Sequence, residues 1–115
     1  MAEPTIDLAA FRDLQETAGA DFVKELVATF LEEAPAMLAD LRTALAEGDA
    51  DKFRRAAHSL KTNSLSFGAM PLGTMARGME LAGVDRVAQL GDQPFEALVA
   101  EYARVGVALT ELANA

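Results

Sequence analysis

Apolar residues recur along this chain at steps of three and four and nowhere in sustained alternation, so the pattern predicts helices and no sheet. Residues 6–17 carry Leu8, Phe11 and Leu14 at helical spacing and run into Gly19, predicting a short first helix. From about residue 21 to 47, Val23, Val27, Leu31, Ala34, Leu38, Leu41 and Leu45 form one continuous stripe. Pro35 lies inside that stripe and should clash with the carbonyl of Leu31, predicting a kink. The stripe resumes in phase afterwards, which favours one bent helix over two. Gly48-Asp49 ends it, and a second long helix is expected over 50–67, with Gly68 as the helix-ending turn. Pro71 opens the next helix, which uses Leu72, Met75 and Met79 and stops at Gly83. Residues 84–93 read as a connection of undefined structure. Pro94 opens the last helix, in which Phe95, Leu98, Tyr102, Val105, Leu109 and Leu112 step by 3, 4, 3, 4 and 3. That is the seam of a helix in an antiparallel bundle. The expected fold is all-α: an antiparallel four-helix bundle with a short additional N-terminal helix. It forms one domain over 1–115, with the bundle core over about 21–113.

Composition narrows what such a bundle can do. At 115 residues and 51% hydrophobic content there is enough apolar material for one core. The net charge of −8 repels phosphate backbones and anionic lipid, and aromatics at 6% are too few for a base-stacking platform. Nucleic acid and membrane are therefore not expected partners. The chain has no cysteine, which removes disulfides, thiolate metal sites and thiol nucleophiles. The opening MAEPTIDLAA lacks the basic and apolar regions of a secretory leader, and no apolar run reaches the length of a membrane span, so a cytoplasmic location is expected.

Against that acidic background the single histidine stands out. With about 100° of rotation per residue, Phe53, Ala56, Ala57, Leu60, Ser64 and Phe67 gather on the side of the helix opposite His58. His58 should therefore project into solvent from mid-helix. Its neighbours at three and four residues are Arg54, Arg55, Lys61 and Thr62, and Asp51 and Leu65 complete the same face. The cations favour a neutral imidazole with a free lone pair, and they would also balance an anion formed on it. A lone surface histidine among charges is more often inert solvated helix, so the cluster alone is weak.

The segment Ala57-His58-Ser59-Leu60-Lys61-Thr62-Asn63-Ser64-Leu65-Ser66-Phe67-Gly68-Ala69 resembles the signature of histidine-containing phosphotransfer (HPt) domains, roughly A-H-x-L-K-G-x-x-x-x-x-G-A. The likeness extends to the acidic, proline-containing stretch Phe30-Leu31-Glu32-Glu33-Ala34-Pro35, to Gly48-Asp49 and to Glu101-Tyr102. It implies that His58 takes a phosphoryl group from an aspartyl phosphate of a response-regulator receiver domain and passes it to another receiver. It also implies a histidine kinase or hybrid kinase upstream. Lys61, with Arg54 and Arg55 as weaker candidates, would compensate phosphate charge; Thr62, Leu65 and Asp51 would line the docking face. Mg²⁺ is expected on the partner receiver, so the chain itself needs no cofactor or metal, and it is expected to act as a monomeric carrier rather than an enzyme. Thr62 stands where the family commonly has glycine, which narrows the approach and tunes partner choice.

The main rival is a non-phosphorylated helical adaptor that binds a signalling partner through the same face. A Ser-His-Asp hydrolase is disfavoured, because Ser59 and His58 point about 100° apart on a helix. One histidine without cysteine is a poor metal site, Glu32 and Glu33 read as solvated surface, and the methionines read as core filling.

Overall fold

The computed structural model describes residues 3–115, and six helices account for nearly all of them: α1 (Leu8–Ala18), α2 (Ala20–Glu47), α3 (Ala50–Ser66), α4 (Met70–Ala82), α5 (Val84–Gln89) and α6 (Gln93–Ala113). No strand occurs among the described residues. α2, α3, α4 and α6 enclose the core, each packing on the next and α6 closing back onto α2. The turns joining α2 to α3 and α3 to α4 are short, which forces antiparallel neighbours. α6 also opposes α2, since Leu31 lies beside Tyr102 and Gly106 while Leu45 faces Phe95 at the other end.

Caps explain where the helices start. The Asp7 carboxylate accepts a bond from the Ala10 amide at 3.2 Å, and Asp49 does the same for Lys52 at 3.0 Å. The first of these corrects the expected start at residue 6. With Asp7 as cap, α1 begins at Leu8, and Ile6 instead enters the core from outside the helix. Leu8 itself stays exposed. Residues 84–93, undefined in the sequence, contain α5, which buries Val84 and Val87 against the bundle.

The core is built from the predicted stripes. Val23, Val27, Ala34 and Leu41 of α2, Phe53 and Leu60 of α3, Leu72 of α4, and Leu98, Val105 and Leu109 of α6 are all buried. Each large side chain contributes about 1.5–3 kcal/mol by leaving water. Phe30 sits at the centre of an aromatic cluster, 5.4 Å from Phe67 and 6.2 Å from Tyr102 between ring centroids. α2 continues through Pro35 as one helix. Proline offers no amide to the Leu31 carbonyl, and the Tyr102 hydroxyl donates to that carbonyl instead, at a long 3.4 Å. Burial against this cluster raises the pKa of the Tyr102 phenol.

Gly68 occupies the left-handed region at φ 81°, and its carbonyl accepts the Asp7 amide at 2.8 Å. A Cβ there would lie 2.9 Å from the Asp7 carbonyl oxygen. Gly68→Ala is therefore expected to destabilise the protein by about 1–3 kcal/mol, combining left-handed strain with displacement of the N-terminal segment. Urea denaturation checks this, and an unchanged midpoint would remove the turn from the set of stabilising contacts.

Candidate functional site

The rotation of α3 is set by its buried side. Phe53, Ala57, Leu60 and Ser64 are inaccessible, and Ala56 and Phe67 nearly so. His58 lies opposite them, in mid-helix, with 58% of its side chain exposed. The ring stands on a convex helix face, as the helical spacing predicts.

What the spacing does not predict is the contact the ring makes. Its Nδ1 lies 2.8 Å from Oε2 of Glu80, on α4, and Oε1 of the same carboxylate accepts a bond from Lys61 Nζ at 2.8 Å. One carboxylate thus bridges nucleophile candidate and lysine across the α3–α4 seam. Hydrogen bonds from Lys61 first, and His58 second, hold the Glu80 pKa below the ordinary carboxylate value, against a smaller upward push from burial. An ionised carboxylate can only accept, so Nδ1 must carry the hydrogen. In the neutral ring the lone pair is then on Nε2 of a side chain that is 58% exposed.

Close helix packing makes this reach possible. Small buried residues occur on both helices: Ala57 on α3, Gly73 and Ala76 on α4. A Cβ on Gly73 would come within 2.5 Å of Leu65 Cδ2, so α4 can approach α3 only because that position is glycine. Leu65 is exposed on one side and rests on Gly73 on the other.

The structure separates the residues that the sequence grouped. Lys61 joins His58 through Glu80. Arg54 and Arg55 do not: Arg54 Nη2 meets Asp51 Oδ1 at 2.7 Å and Arg55 Nε meets Asp51 Oδ2 at 3.0 Å. Both are ordinary i,i+3 and i,i+4 pairs, and they occupy both oxygens of Asp51. This corrects the picture of an imidazole ringed by free cations, because the charged group in contact with it is an anion. Thr62 is exposed one turn beyond the ring. Gly68 is remote, ten residues on and past the end of α3, and serves the turn rather than the site. Glu80 was the residue that sequence reasoning missed. The available signal was that it is the sole carboxylate on α4, seven residues after Gly73 and four after Ala76 on the small-residue side.

A family model described as the Hpt domain matches residues 25–114. The chain belongs to the Hpt domain family. Among solved structures, this Hpt domain is similar to histidine-containing phosphotransfer protein B (HptB) of Pseudomonas aeruginosa PAO1. The TM-score is 0.84 and the sequence identity 27%, with 98% of this chain and 97% of that one covered. No curated protein matches it by sequence. Hpt domains are phosphoryl carriers that work with the receiver domains and kinases of two-component systems. No described helix of this one is long and apolar enough to cross a membrane.

Two outcomes follow from the bridge. ¹⁵N shifts of the neutral ring should report hydrogen on Nδ1 in the wild type, and that bias should be lost in Glu80→Ala; the same tautomer in both would exclude Glu80 as its cause. The lowered carboxyl pKa adds stability above the ordinary value of 4.5, and this is lost as pH falls through the lower folded-state value. The urea-midpoint difference between wild type and Glu80→Gln should accordingly be largest near neutral pH and shrink in acid. A difference that stays constant from about pH 7 to about pH 3 would contradict it.

Proposed function

We propose that this Hpt domain is a phosphorelay intermediate in which Nε2 of His58 is the atom that receives the phosphoryl group. The observation that carries the reading is the Glu80 bridge: it fixes hydrogen on Nδ1 and so directs the lone pair outward, where a partner can reach it. Nε2 attacks phosphorus on the aspartyl phosphate of a receiver; the P–N bond forms as the P–O bond to the aspartyl carboxylate breaks. The ring, still hydrogenated at Nδ1, gains positive charge in that step, and the Glu80 carboxylate stabilises it. Reversal onto a second receiver regenerates the neutral imidazole.

Lys61 lies one turn from His58 and supplies positive charge to the transferring phosphoryl group, with Glu80 holding its ammonium beside the ring. Arg54 and Arg55, each paired with Asp51, are weaker contributors. None of the cavities described among residues 3–115 is lined by His58, Lys61 or Glu80. The partner receiver therefore provides the concave site, the Mg²⁺ and the remaining catalytic groups. The chain acts as a monomeric carrier in the cytoplasm, with a histidine kinase or hybrid kinase as the ultimate phosphoryl source. Thr62, beside the ring, restricts which receivers can approach.

His58→Gln should abolish labelling by a phosphorylated receiver while helical content stays unchanged, as read by autoradiography and far-UV circular dichroism. Retained label in that variant would end the assignment. Lys61→Ala should slow transfer on the order of tenfold, a loss of about 1.4 kcal/mol of transition-state stabilisation. Stopped-time transfer assays decide that point, and a wild-type rate would remove Lys61 from the mechanism.

A further inference from the structure

The transfer proposed above uses α4 only through Glu80, yet the same edge of α4 carries Arg77 and Leu81. Two contacts fix the register of the helices. Glu80 meets His58 and Lys61, and Gly73 lies under Leu65. Arg77 falls between these contacts along α4, one turn before Glu80, which meets Lys61. It is exposed. α3 and α4 together carry Lys52, Arg54, Arg55, Lys61 and Arg77. Lys52 pairs with Glu47, both arginines of α3 pair with Asp51, and Lys61 pairs with Glu80; Arg77 makes no ion pair among the described residues. Leu81, next to Glu80, is 73% exposed, more than any other large apolar side chain described.

We propose that the receiver-docking surface crosses from α3 onto α4, with Arg77 as its cationic contact and Leu81 as its apolar one. This rests on the phosphorelay reading. The occupant is a receiver domain because an aspartyl-phosphate pocket, with its phosphoryl group and carboxylates, is an anionic concavity. On a chain of net charge −8, the uncommitted positive charge one turn from Glu80 on α4 complements it. The patch is also continuous with the nucleophile, so a body seated over His58 covers both helices. A rim cation of this kind acts on encounter and its salt dependence rather than on the chemical step, so Arg77 is a docking residue and not a catalytic one.

The test uses the full chain and whichever phosphorylated receiver labels the wild type fastest in a panel. Transfer rates are measured against receiver concentration at low and moderate salt. Arg77→Glu and Leu81→Ser should each raise the apparent KM on the order of fivefold while kcat is unchanged, and Arg77→Glu should weaken the salt dependence. Arg12→Glu alters net charge equally on α1, which packs against α2, and should behave as wild type. Wild-type KM in both α4 variants, with the wild type itself labelled, overturns this proposal alone. An equal loss in Arg12→Glu also overturns it, since the effect would then be long-range charge. Failure of every receiver to label the wild-type chain overturns the phosphorelay reading and this one together.

Discussion

The burial of one side of α3 governs the rest of the molecule. Phe53, Ala57, Leu60 and Ser64 have no contact with water, so the helix cannot rotate about its axis without exposing large apolar area. Rotation being fixed, the direction of His58 is fixed as well. The ring needs no pocket to hold it outward, because the core holds the helix. A rigid convex scaffold suits the proposed carrier role, in which the side chain enters another protein's site and withdraws from it.

Much of this was legible in the sequence because it is periodic. The stripes of α2, α3 and α6 specify which sides are buried, and the single histidine falls opposite one of them. The pairing of Arg54 and Arg55 with Asp51 was equally available, since all three lie within four residues on one helix; counting them as free cations neglected the anion beside them. Glu80 was different. It meets His58 across 22 residues of sequence, and its approach depends on two helices packing closely at Gly73, which no periodicity within either helix encodes. α5 escaped for a simpler reason: six residues are too few to display a helical repeat.

Pro35 is an instance of a local cost met by distant structure. The carbonyl of Leu31 loses its helical donor, and the Tyr102 hydroxyl, 71 residues away, reaches it from α6. The same tyrosine packs edge-on against Phe30, so one side chain serves both the apolar cluster and the polar gap. The expectation of one helix rather than two holds, since α2 runs from Ala20 to Glu47 through Pro35.

The Glu80 bridge carries an implication for how this surface can vary. The imidazole sits on one helix and its hydrogen-bond acceptor on another, so the chemistry of the ring is tied to how α4 is registered along α3. A slide of α4 by a fraction of a turn would carry the carboxylate out of reach, although no residue touching the ring had changed. Substitutions at the Gly73–Leu65 contact, remote from the imidazole, are thus a route by which the ring's hydrogen bonding could be retuned while His58 and its sequence motif stay intact.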